Sequence, residues 1–202
     1  MQLRYVLSVF AATYFSLSPI GETRTWDFET DPVGKIATGF TNEVGTWEVV
    51  EIDKNRVLAQ KAKSDDDTFN VTLATITSYK DFDLAVKLKA VAGKNDQGGG
   101  LVWRAKDKKN YYICRYNPLE DNIRVYKVVE GKRTMFADAS TPGNNKWHTL
   151  RVTMTGAKMT CFFDGKKYLE AEDATFPDPG MIGLWSKADA QSYFDDLTIE
   201  GK

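Results

Sequence analysis

Two arginines stand inside stretches that otherwise read as apolar strand: Arg104 in "GLVWRA" and Arg115 in "NYYICRYN". A guanidinium in such a place must be paired or must face a wet cleft. Tyr112 and Asn117 lie beside Arg115, and Trp185 closes "MIGLW" further on. Aromatic faces for C–H patches, with guanidinium and amide groups for hydroxyls, are the chemistry of a saccharide site. The plainer alternative puts both arginines on solvated faces or in cross-strand ion pairs, and Trp185 in a core strand. Lys187 and Asp189 follow in "WSKAD", which lacks strand periodicity and reads as a loop. A lysine can stabilise an enolate or oxyanion and an aspartate can take a proton, so the two are candidate catalytic residues. A surface ion pair is the alternative.

Other chemistries have less to work with. His148 is the single histidine and opens "WHTLRV", where a structural role fits better than a triad. With no CxxC and one histidine, a His/Cys zinc site has no support. Cys114 and Cys161, the two cysteines, sit in strand-like "YYICRY" and "KMTCFF" and are expected as free core thiols.

The elements that would carry these residues are strands. In "DFDLAVKLKAV", Phe82, Leu84, Val86 and Leu88 share one face, while Asp83, Lys87 and Lys89 take the other. A dozen such segments alternate in this way, and turns such as "EGK", "TGAK" and "DGKK" separate several of them. No amphipathic helix, repeat or linker interrupts them. Only "DATFPDPG", with two prolines, reads as a longer loop. The expected fold is all-β, two antiparallel sheets sharing a core in one domain over residues 22–202. Trp26, Trp47 and Trp147 are expected in that core.

A formal charge of −1 gives no electrostatic case for nucleic acid or an anionic membrane surface. The apolar run "YVLSVFAATYFSL" is too short to span a bilayer and suits a signal-peptide core, so residues 1–21 read as a leader and the protein as secreted or periplasmic.

The pieces "GGGLVWRAKDKKNYYICRYNPLEDNIRVYKVVEGKR", "KWHTLRVTMTGAKMTCFFDGKK" and "GMIGLWSKADAQSYFDDLTI" resemble the concanavalin A-like (laminin G-like) jelly roll. More closely they resemble bacterial proteins of the 3-keto-disaccharide hydrolase domain family. The resemblance implies two curved sheets with ligand on the concave face, where "GLVWR" and "NYYICRYN" would be neighbouring strands and "GLWSKAD" would reach the rim. Arg104, Tyr112, Arg115, Asn117 and Trp185 are the ligand-binding residues it suggests. Laminarinase-type relatives of this fold carry E-x-D-x-x-E; the nearest approach here, Glu51 to Arg56, ends in arginine where the second glutamate would stand. Two functions follow: a carbohydrate-recognition domain, or an enzyme opening 3-keto-glycosides by elimination, since the keto group acidifies the neighbouring C–H. The fold also suggests a structural Ca²⁺ between the first and last strands, with Asp27 and Asp195 in its shell.

Overall fold

A computed structural model describes residues 21–202. The expected signal peptide falls almost wholly outside the described residues. Fifteen strands, and no helix, make up the regular structure among them. In chain order they are β1 (Thr23–Trp26), β2 (Phe40–Val44), β3 (Trp47–Ile52), β4 (Asn55–Gln60), β5 (Phe69–Tyr79), β6 (Phe82–Ala92), β7 (Gly99–Asp107) and β8 (Asn110–Asn117). There follow β9 (Asn122–Val129), β10 (Lys132–Ser140), β11 (Trp147–Thr155), β12 (Lys158–Phe163), β13 (Lys166–Glu172), β14 (Gly180–Lys187) and β15 (Gln191–Gly201).

The strands form two antiparallel sheets, a jelly-roll sandwich. The first runs β13-β12-β11-β6-β15-β4-β3, with β1 paired to the far half of β15; the second runs β10-β9-β8-β7-β14-β5-β2. Both "GLVWR" and "NYYICRYN" belong to the second sheet and are neighbours, as expected. The strands that the sequence pattern marks least clearly, β2, β10 and β13, are sheet edges. An edge strand pairs on one side only and carries more charge, which blurs its alternation.

Alternation builds the core where it is unbroken. Phe82, Leu84, Val86 and Leu88 of β6 all point between the sheets with Leu101, Trp103, Tyr112 and Cys114 from the facing sheet. Each such side chain contributes about 1.5–3 kcal/mol on leaving water. Trp47 is fully buried there and Trp26 packs against the cluster, but Trp147 is 37% exposed. It faces outward because the core positions of β11 are His148, Leu150, Val152 and Met154.

Several bulges break the period of two, and two of them centre on left-handed residues that are not glycine. Arg104 has φ 46° and Asp196 has φ 45°, both left-handed, and the ladder registers shift at each. At Asp196 the shift puts Phe194, Leu197 and Ile199 on the core side together. Strict alternation would have set Phe194 opposite the other two. An extra residue in the ladder turns everything beyond it by one face.

Candidate functional site

The outer face of the second sheet carries buried side chains, although among the described residues no third layer covers them. Val71 and Leu73 of β5, Val102 of β7, Tyr111 and Ile113 of β8, Val128 of β9 and Trp185 of β14 form one apolar cluster. Phe69 and Met181 pack over it. Arg133, from β10, lies across the same surface with its guanidinium carbon 4.4 Å from the Tyr126 ring centroid, 5.2 Å from Phe69 and 5.7 Å from Trp185. A planar cation on aromatic faces is an arrangement that Arg makes and Lys does not.

Arg115 extends this surface on β8 and is 1% exposed. Its Nη2 donates to Glu120 Oε2 at 2.8 Å and to the Tyr126 hydroxyl at 3.3 Å. Among the described residues its Nε and Nη1 have no partner, and neither has Arg133 Nη1. Buried donors are almost always satisfied, so three free guanidinium nitrogens on one face are exceptional. The register explains the room beside Arg115. Gly100 of β7 lies opposite Arg115 on one side and Trp185 on the other, so bare backbone separates them. A Cβ at Gly100 would overlap the Cys114 carbonyl oxygen.

Acids complete the cluster. Arg124 sits directly across the ladder from Arg115, and Glu120 Oε2 takes a hydrogen bond from each, 2.6 Å from Arg124 Nη1. Burial alone would raise the Glu120 carboxyl, but hydrogen bonds from Arg115 and Asn122 and the two arginine charges pull it down to about 2. Asp96 comes from the β6–β7 loop. Its Oδ1 accepts from Asn117 Nδ2 at 2.9 Å, and its Oδ2 lies 3.8 Å from Lys187 Nζ. Burial raises the Asp96 carboxyl above the usual range, against the pull of Arg115 and Lys187.

The structure therefore brings Arg115, Asn117, Trp185 and Lys187 to one face. It takes Arg104 and Tyr112 elsewhere. The left-handed bulge turns Arg104 away from Val102, and its guanidinium donates to the carbonyls of Lys80, Gly156 and Phe176 at the end of the sandwich. Tyr112 points into the inter-sheet core, stacked on Trp103, with its hydroxyl 2.7 Å from Asp173 Oδ1. Lys187 ends a strand rather than lying in a loop, and the acid facing it is Asp96 rather than Asp189. Asp189 accepts backbone N–H groups from Lys94, Asn95 and Asp96. Burial works against it, but those three donors hold its carboxyl below the usual range, which does not suit a general base.

The first and last strands do pair, with Trp26 opposite Leu197. Asp27, Glu29, Asn55, Asp195 and Asp196 line a cavity of about 600 Å³ beside them, with Lys87 and Trp147. These groups do not suit calcium, which takes six to eight oxygens. Lys87 Nζ already sits 2.6 Å from Asp196, and Asn55 turns its NH₂ toward Asp195 Oδ2 at 3.0 Å. Among the described residues no three His, Cys, Asp or Glu side chains are grouped to hold a metal ion.

A family model described as the 3-keto-alpha-glucoside-1,2-lyase-like domain matches residues 26–200. The chain belongs to this family. The domain is also 28% identical over 176 residues to a levanase of Bacillus subtilis (strain 168), covering 85% of this chain and 24% of the levanase. The chain thus spans about a quarter of that relative. Among solved structures, carbohydrate binding module CBM66 from Bacillus subtilis superposes with a TM-score of 0.71 at 24% identity, over 84% of this chain and 100% of the module. A GH43 protein from Bacillus licheniformis superposes with a TM-score of 0.63 at 17% identity, over 88% of this chain and 39% of that one. These two likenesses are of fold.

Four residues of the cluster in this 3-keto-alpha-glucoside-1,2-lyase-like domain escape a reading of the sequence: Asp96, Glu120, Tyr126 and Arg133. Each lies in a loop or turn, or in a strand with no anomalous composition. The Arg115–Arg124 pairing holds a clue to Glu120. Like charges directly opposed on neighbouring strands need an acid between them, and the β8–β9 turn "NPLED" supplies one. Among the described residues no helix is long and apolar enough to cross a membrane.

Proposed function

We propose that the outer face of the second sheet binds a saccharide, and that this is a non-catalytic recognition domain of an exported protein. The carrying observation is Arg115, a buried arginine with two donor nitrogens unfilled beside a buried Asp96. Neighbouring sugar hydroxyls both donate and accept, so one hydroxyl pair can give to Asp96 or Glu120 while taking from Arg115, Arg133 or Lys187. The Tyr126, Phe69 and Trp185 rings give the apolar ground beside them. The levanase and CBM66 likenesses support a carbohydrate as the partner, and the apolar leader supports export.

Calorimetry against a panel of polysaccharides that includes levan and plant and bacterial glucans tests this reading. The expected result is binding to at least one of them that Arg115→Met abolishes with the fold intact. No binding to any member of the panel overturns it.

A second reading rests on the raised Asp96 carboxyl beside Lys187. In a 3-keto-glycoside, Asp96 would take the acidified C2 proton while Lys187 and Arg115 hold the enolate oxygen; collapse of the enolate would form the C1=C2 bond and break the glycosidic C1–O bond, the departing alkoxide taking a proton from water. Incubation with a 3-keto-glucoside separates the readings. Turnover lost in Asp96→Asn favours the enzyme, and unchanged substrate leaves the binder.

A further inference from the structure

Around Arg115 three carboxylates serve four cations. Glu120 is shared between Arg115 and Arg124, Asp138 meets Arg124 again at 3.1 Å, and Asp96 meets Lys187 at 3.8 Å. Among the described residues no carboxylate comes within ion-pair distance of Arg133. Its guanidinium rests on ring faces alone, and it comes from β10, an edge strand. The Arg115 guanidinium carbon lies 5.9 Å from the centroid of the same Tyr126 ring that Arg133 covers at 4.4 Å. Two arginines thus flank one ring, with Nε and Nη1 of the first and Nη1 of the second buried and unpartnered.

A guanidinium keeps its charge at any ordinary pH, so a buried one short of counter-charge bears the cost of leaving water. A sugar hydroxyl can fill a vacant hydrogen bond there but brings no charge. An anionic group does both, and charge-assisted hydrogen bonds are about twice as strong as neutral ones.

We propose that the ligand of this face is an acidic saccharide, one whose sugar ring carries a carboxylate or a sulfate that takes the vacant nitrogens of Arg115 and Arg133. This ligand class presupposes that the same face binds a saccharide, and narrows it. Hydroxyls of the same ring are left to donate to Asp96 and Glu120. Arg133 is the side chain that turns aside to admit the anion, since no carboxylate ties it down. Burial and the Arg115 charge both act against the Arg133 cation, and a ligand anion relieves the second of these.

Two matched pairs of polymers test this by calorimetry: polygalacturonate against its methyl ester, and dextran sulfate against dextran. Within each pair the backbone is the same and only the anion differs. In at least one pair the acidic member is expected to bind about tenfold or more tightly than its partner, and sodium chloride to weaken it. Arg133→Gln keeps an amide donor and drops the charge, and is expected to bring the acidic member down to the affinity of its neutral partner. Lys158→Gln removes the same charge from β12 on the other sheet and is expected to change nothing. An equal loss in both variants means bulk attraction to a polyanion and overturns the proposal. Equal affinity within both pairs, beside binding to levan or a glucan, overturns it and leaves the saccharide reading standing. No binding to any polymer, acidic or neutral, overturns both. The paired comparison is made on the wild-type chain, so it does not depend on a variant folding.

Discussion

Asp189 Oδ1 accepts the backbone N–H of Asp96 at 3.1 Å. Asp96 in turn is the carboxylate that meets Asn117 and Lys187. The aspartate that the sequence offers as a base is instead the anchor of the loop that delivers another aspartate.

Removing that anchor has a foreseeable result. Asp189→Ala frees the N–H groups of Lys94, Asn95 and Asp96; water can replace the carboxylate at the first two, which are exposed, but not at buried Asp96, so the loss of stability is about 1–2 kcal/mol. Saccharide affinity is expected to fall about tenfold as Asp96 loses its position, with Asp189→Asn in between. Calorimetry and a melting curve on the same samples read both effects.

Lys187→Ala and Asp195→Ala are expected to act in opposite ways. Lys187 touches one carboxylate at 3.8 Å, so its loss leaves the melting temperature unchanged and weakens saccharide binding several-fold. Asp195 takes hydrogen bonds from Asn55 and from the Asp196 backbone at the β15 bulge. Its loss is expected to cost about 1–2 kcal/mol in stability and to spare binding. Chelator or added calcium is expected to move neither melting curve, because the donors there do not suit the ion.

Arg104→Leu is expected to be among the most damaging single changes. It removes donors from three backbone carbonyls and leaves them facing an apolar side chain, a loss of about 3 kcal/mol or more. Denaturant melts measure it, and a wild-type midpoint would contradict the bridging role.

Glu120 sets an acid limit. Its carboxyl ionises at about 2 in the folded protein against an ordinary 4.5, so the folded state gives up this proton more readily than the unfolded one. The stabilisation is therefore complete above about pH 4.5 and is lost as pH falls toward 2. Melting temperatures across that range are expected to fall more steeply for wild type than for Glu120→Gln. Parallel curves would show that the Arg115–Glu120–Arg124 bridge contributes nothing.

Much of the fold is legible in the sequence because its signals are local. Period-two alternation marks β6, and the Asp164–Gly165 and Glu130–Gly131 turns mark the β12–β13 and β9–β10 hairpins. The bulges are not legible. Arg104 and Asp196 adopt left-handed backbone without being glycine, and no residue type announces it. Each shifts the phase of a strand, so a face assigned by counting is wrong beyond it, as with Arg104 itself. The candidate site is legible only where a polar residue breaks an apolar strand, as Arg115 does. Asp96, Glu120 and Arg133 lie in unremarkable polar surroundings and acquire meaning only from which strands become neighbours.

The register that sets Thr23 opposite Glu200 has a topological reading. Antiparallel partners lie about 5 Å apart, so the described residues close almost into a ring. A short Gly-Ser splice from 202 to 22, with new ends cut at the exposed Gly165 tip, would give a circular permutant with the same hydrogen-bonded ladders. Fused to a surface or a second protein through residue 22 or residue 202, the domain would hang from a single attachment point on the first sheet. Its Arg115 face would look away from the anchor.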